Sequence, residues 1–194
     1  MSRKLHSKKF LIPVDSKEEG WTRFEWSGNG KAFLCSKNGF ADKGAGIYER
    51  DLETGAERCV YNNPKRRVQF KGLKCSWDYK WLAFLNESEI MVVNLETAES
   101  HQAASEVGYP SWSPDGQKIL AMRAYGGSKE HLKYLFVFPA SGGPVKKFDL
   151  SQTLPKKSRI NYQDWSPNGK QVVFGLSQGK GHVLLYKNVI PEGK

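Results

Sequence analysis

Between residues 107 and 150 the chain breaks into four short apolar runs separated by turn-forming residues. "VGYPSWS" alternates as a short strand should, "KILAMRAY" reads as a second strand, "KYLFVFPA" as a third and "PVKKFDL" as a fourth. Between the first two, "PDG" supplies a tight turn. Pro114 fixes φ, Asp115 can bond its own backbone, and Gly116 accepts positive φ. "GGSKEHL" reads as a loop and "SGG" as another tight turn. The pattern predicts a four-stranded antiparallel meander of about 45 residues.

The same phrase recurs. "WSPDGQK" at 112–118 is matched by "WSPNGKQ" at 165–171, "WSGNGKA" at 26–32 and, more loosely, "CSWDYKW" at 75–81. Trp26, Cys75, Trp112 and Trp165 mark one repeated position, with Asp115, Gly116, Asn168 and Gly169 completing the turns. The first repeat predicts strands near 19–27, 31–38, 45–52 and 57–62, and the second near 67–76, 81–87, 89–95 and 99–104. The last supplies only three, in "SRINYQDWS", "QVVFGLSQ" and "HVLLYKNV". A fourth strand is available at 8–14, "KKFLIPV", which would remove an exposed sheet edge by pairing with the last unit. Pro13 is acceptable on such an outermost strand. The expected architecture is one all-β domain over 1–194, a closed β-propeller of four blades. Blade 1 covers about 19–62, blade 2 about 67–105, blade 3 about 107–151, and blade 4 about 158–190 plus strand 8–14. Large aromatics at the repeated position are expected to wedge between neighbouring blades. The serine after each, Ser27, Ser76, Ser113 and Ser166, is expected to bond turn backbone.

The phrase W-S-P-[DN]-G-K, followed by an apolar strand, an aromatic-rich strand and a "GG" or "ETG" turn, resembles the TolB-like propeller repeat, a relative of the WD repeat. The resemblance covers about residues 8–190. Gly28 stands where Pro is usual in the first copy, and Trp77 and Tyr79 replace Pro and Gly in the second. Propellers of this family more often have six or seven blades, so the chain is either a small closed ring or part of a larger one. The resemblance implies protein–protein work on propeller faces.

Composition agrees with an all-β chain: 12% aromatic residues, six Trp and 19 Gly among 194 residues. The three cysteines, Cys35, Cys59 and Cys75, lack metal or redox spacing and read as reduced structural thiols. No apolar run reaches membrane-helix length. The expected location is cytoplasmic, or periplasmic or secreted if a signal peptide has been removed.

No GxSxG, HExxH or zinc-spaced Cys/His set occurs, and "SQGKGH" has the wrong spacing for a phosphate loop. His6, His101, His131 and His182 are scattered. No catalytic residue, metal or cofactor is therefore expected. The formal charge of +10 bears on partners. Basic residues fall on the longer loops: Lys65, Arg66 and Arg67 between the first two blades, Lys156, Lys157 and Arg159 between the last two, with Lys37, Lys43, Lys129, Lys133 and Lys180. Phe40, Tyr125 and Tyr162 lie near the same loops. The expected function is a non-enzymatic, monomeric interaction scaffold presenting a basic face. Lys65, Arg66, Arg67, Lys156, Lys157 and Arg159 would make electrostatic contacts, and Tyr125, His131 and His182 would line the centre. A protein partner ranks first, then an acidic polysaccharide or other polyanion, with nucleic acid below both. The alternatives are a carbohydrate-active lyase or hydrolase with carboxylates, Tyr or His at the channel mouth, and a fragment of a larger propeller.

Overall fold

The computed structural model describes residues 21–28, 30–37, 44–62, 70–123, 133–156, 158–178 and 180–187, with backbone alone for 21, 22, 178 and 180–187. Among the described residues fifteen strands form four antiparallel sheets, with almost no helix. Sheet 1 holds β1 (Trp21–Trp26), β2 (Ala32–Lys37), β3 (Gly46–Asp51) and β4 (Glu57–Asn62). Sheet 2 holds β5 (Phe70–Cys75), β6 (Trp81–Asn86), β7 (Glu89–Asn94) and β8 (Ser100–Ser105). Sheet 3 holds β9 (Val107–Trp112), β10 (Lys118–Arg123), β11 (Tyr134–Pro139) and β12 (Lys146–Asp149). Sheet 4 holds β13 (Arg159–Trp165), β14 (Gln171–Gln178) and β15 (Lys180–Lys187). Each sheet is a meander in chain order. The strand expected at 8–14 lies outside the described residues.

The first strands pack in sequence, β1 on β5, β5 on β9 and β9 on β13, and among the described residues there is no comparable packing of β13 on β1. In each first pair the register shifts once, near Trp21, Gly72, Pro110 and Tyr162. Such bulges add local twist and re-aim the residues that follow. Gly72 sits at φ 61, and a Cβ there would come 3.2 Å from Pro110 Cδ and 3.3 Å from Tyr109 Cα. β5 and β9 therefore approach closely at their bulges.

The core lies between sheets. Leu34, Ile47 and Val60 of sheet 1 meet Phe70, Leu82 and Phe84 of sheet 2. Ala83, Leu85 and Ile90 of sheet 2 meet Trp112, Ile119 and Phe138 of sheet 3. Leu120, Leu135 and Val137 of sheet 3 meet Trp165, Val172 and Phe174 of sheet 4. Leu82 and Phe84 face one neighbour while Ala83 and Leu85 face the other. A middle strand buried on both faces has no polar side, so its sequence is a continuous apolar run.

Trp112 is 3% exposed, and its Nε1 donates to the Lys74 carbonyl at 2.8 Å. Its ring thereby ties sheet 3 to sheet 2. Trp165 is buried in the next interface, and Cys75 packs against the first. Trp26 departs from the expected wedge, being 60% exposed. Each wedge packs on the sheet before it in the chain, and no described sheet precedes sheet 1.

Candidate functional site

The first turns of sheets 2, 3 and 4 follow one hydrogen-bond scheme. Ser113 Oγ accepts the Lys118 N–H at 2.9 Å and donates to Asp115 Oδ1 at 2.6 Å. Ser76 does the same with Trp81 and Asp78, and Ser166 with Gln171 and Asn168. These bonds hold the Asp78 and Asp115 carboxyls below the ordinary aspartate range. The serines are thus engaged in turn geometry. Ser27 instead donates to Glu49 Oε1 at 2.9 Å.

The turns differ in bulk. Gly30, Gly116 and Gly169 take positive φ at one position, and Tyr79 occupies the same position in sheet 2 at φ 56. A Cβ on Gly169 would lie 3.7 Å from Pro114 Cδ, so this glycine rests on the proline of the preceding turn. Between sheets 1 and 2 the sizes are exchanged. A Cβ on Gly28 would lie 2.5 Å from both Cβ and Cγ of Tyr79. Gly28 stands where Pro114 stands because the Tyr79 ring occupies the space. Trp77, at the proline position of sheet 2, donates its Nε1 to the Trp112 carbonyl at 3.4 Å. Trp77 remains 51% and Tyr79 45% exposed.

Both aromatics rim a cavity of about 210 Å³ whose other lining includes Glu25, Lys74, Ser111, Trp112 and Asp164. Glu25, Lys74, Ser111 and Asp164 each immediately precede the repeated Trp or Cys position, and the four first strands bring them to one cavity. Burial raises the Glu25 carboxyl above its ordinary range. Lys74 and the Cys75 backbone N–H oppose that shift, and the Asp164 charge adds to it. Asp164 Oδ1 accepts from the Ser111 hydroxyl and from the Trp165 N–H at 2.9 Å. The result is a small, aromatic-rimmed cavity with two carboxyl groups, one ammonium and the buried hydroxyls of Ser76 and Ser111.

A second cavity of about 210 Å³ lies between sheets 2 and 3, lined by Trp81, Val92, His101, Trp112 and Gln117 among others. There His101 Nε2 donates to the Ala140 carbonyl at 2.9 Å, joining the two sheets. Among the described residues no group of three His, Cys, Asp or Glu is placed to hold a metal. No described helix is long and apolar enough to cross a membrane.

Of the basic-face residues, Lys65, Arg66, Arg67, Lys157, Tyr125 and His131 lie outside the described residues, as do Phe40, Lys43 and Lys129. Lys156 is exposed, and Arg159 Nε donates to Ser177 Oγ across the β13–β14 ladder at 3.0 Å. His182 sits within β15, paired with Leu176 rather than in a loop, because the β14–β15 ladder continues to Gln178 and Lys180. Lys133 corrects the expected loop charge. It is buried, and its Nζ donates to the carbonyls of Leu154, Pro155 and Lys156 at 3.4, 2.8 and 3.3 Å. Sequence reasoning missed Glu25, Lys74, Ser111 and Asp164. Aligning the repeats one residue before the Trp position exposes them as a set. Trp77 and Tyr79 were visible as departures from the repeat.

No family model and no curated protein matches the sequence. Solved structures do. TolB from Acinetobacter baumannii superposes with a TM-score of 0.61 at 19% identity over 88% of this chain and 41% of its own. A protein assigned as TolB from Agrobacterium tumefaciens gives 0.61 at 17% identity, over 84% of this chain and 60% of its own. The Cps50 (Swd1) β-propeller domain of Myceliophteria thermophila gives 0.62 at 13% identity, over 90% of this chain and 54% of its own. The chain thus spans less than two thirds of each. The fold is a TolB-like, WD-repeat-related β-propeller.

Proposed function

We propose that the chain is a protein-interaction scaffold that receives part of its partner at the channel mouth. The observation carrying this reading is the exposure of Trp77 and Tyr79 at the rim of a polar cavity, where the repeat otherwise places proline and glycine. Exposed aromatics beside a concave polar centre have the composition of binding hot spots. The likeness to TolB and to a WD-repeat domain supports a scaffold and names no partner. The basic loops carrying Lys65, Arg66, Arg67, Lys156, Lys157 and Arg159 are proposed to steer an acidic surface toward the molecule. A four-bladed ring completed by residues 8–14 beside β15 is the proposed full architecture. A larger ring containing these four sheets is the alternative. Affinity capture from lysate at low salt and at about 0.5 M salt, where exposed charges are screened, tests the reading. A defined protein retained at both salts by the native chain and lost by Trp77→Ala supports it. Retention of polyanions alone, or retention unchanged by Trp77→Ala, removes it.

A second reading is a carbohydrate-active enzyme. It is favoured by the convergence of Glu25 and Asp164 on one aromatic-rimmed cavity, since paired carboxyls with different environments serve glycoside cleavage. Release of reducing ends from polygalacturonate, abolished by Glu25→Gln and by Asp164→Asn, is the expected result. No release from acidic polysaccharides ends that reading.

A further inference from the structure

We infer that the channel-mouth cavity takes a single guanidinium side chain, an arginine of the partner. This rests on the interaction-scaffold reading and specifies its chemistry. Glu25 on β1 and Asp164 on β13 come from the first and last sheets yet line the same space. Burial raises the Glu25 carboxyl most, Lys74 opposes that shift and the Asp164 charge adds to it. A cation placed between the two carboxyls relieves the part of that penalty that Lys74 leaves. Lys74 also lines the cavity and is exposed, as Asp164 is, so its ammonium can turn into water when a second cation enters.

The rim selects among cations. Trp77 and Tyr79 offer aromatic surface at the mouth, and the Trp77 ring is held through its nitrogen by the Trp112 carbonyl. A guanidinium is planar, weakly hydrated and able to stack on such rings while donating in a fork to carboxylates. An ammonium is better hydrated and gains less. Size agrees: about 210 Å³ is below the range of pockets for drug-sized ligands and suits one long side chain. The formal charge of +10 narrows the partner further. A generally basic segment is repelled by the surroundings, so the arginine is carried by an acidic or neutral stretch.

The test is a titration of the full chain with acetyl-Glu-Arg-Glu-amide and its citrulline counterpart, following the Trp77 indole N–H by NMR. Citrulline keeps the shape and removes the charge. The arginine peptide should perturb the resonance saturably and bind at least tenfold tighter than citrulline. Glu25→Gln and Asp164→Asn should each weaken it about tenfold, and Lys74→Met should tighten it. Thermal unfolding of each variant separates lost binding from lost folding, and Lys74→Met gives a gain that misfolding cannot produce. Equal binding of both peptides, no binding of either, or indifference to the carboxylate variants overturns the inference. Partner capture that depends on Trp77 but not on Glu25 or Asp164 would leave the scaffold reading standing while the arginine assignment falls.

Discussion

Gly28 and Tyr79 are an exchange of bulk across one interface. Between sheets 3 and 4 the glycine of the later turn, Gly169, rests on the proline of the earlier one, Pro114. Between sheets 1 and 2 the earlier turn carries the glycine and the later one the large residue. Tyr79 also holds positive φ, which disfavours a side chain of its size. Gly28→Ala should therefore destabilise the chain by about 1–3 kcal/mol, the usual range for overpacking. Tyr79→Gly in the same chain should restore most of the loss, because it clears the space and suits the backbone. A double-mutant cycle by chemical denaturation checks this, and additive effects would count against direct contact. Glu25 supplies a second prediction at this scale. Its carboxyl is raised above the ordinary value of 4.5 mainly by burial, with Lys74 and the Cys75 N–H opposing and Asp164 reinforcing. The folded chain then holds this proton more tightly than the unfolded chain. Its contribution to stability falls as pH rises from 4.5 through the raised value. Glu25→Gln should raise Tm at pH 7, with the gain shrinking toward pH 4. A gain that is constant with pH would show that this titration is not responsible. The turn residues were legible because each performs a local task within a few residues of chain. Gly28, Trp77 and Tyr79 looked like erosion because their reason lies in the neighbouring repeat.

Strands were readable wherever punctuation surrounded them, even when alternation failed. β6, "WLAFLN", is apolar almost throughout because Leu82 and Phe84 face sheet 1 while Ala83 and Leu85 face sheet 3. Its length and its flanking turns identify it, and periodicity does not. Connections were less legible. Lys133 stands beside charged residues in sequence and reads as one more loop cation, yet three carbonyls of the segment joining sheets 3 and 4 converge on its Nζ. Nothing local in the sequence announces carbonyls about 20 residues away that turn toward one ammonium. Lys133→Met preserves much of the stem and removes all three donations. It should cost about 1.5–3 kcal/mol, the range for hydrogen bonds to a charged group. Urea unfolding should show a lower midpoint with the slope unchanged. Amide exchange near 154–156 should also quicken. An unchanged midpoint would mean that water replaces the ammonium at no cost.

At the scale of the molecule, the repeated tryptophan position serves as a gauge of which flanks are covered. Trp112 closes sheet 3 onto sheet 2 with 3% of its surface exposed, and Trp26, at the same place in its repeat, is 60% exposed. Phe24 beside it is exposed as well, and together with Phe33 they line an apolar groove. That four-stranded units repeat and stack in chain order was readable from the sequence because each unit carries its own turns. Whether sheet 1 has a neighbour on its free flank was not, because the Trp26 motif is written the same way with or without a covering sheet. The described flank gives the expectation to test. Trp112→Ala should cost about 3–5 kcal/mol, as removal of a buried large aromatic does. Trp26→Ala should stay within about 0.5 kcal/mol, as an exposed position does. Equal and large costs would mean that another sheet covers Trp26 in solution. Repeating the Trp26→Ala measurement over a hundredfold range of protein concentration would then locate that sheet. A cost that grows with concentration places it on a second copy, by mass action on the native assembly. A cost independent of concentration places it within the chain itself, where residues 8–14 beside β15 would bring sheet 4 against sheet 1 and close the ring.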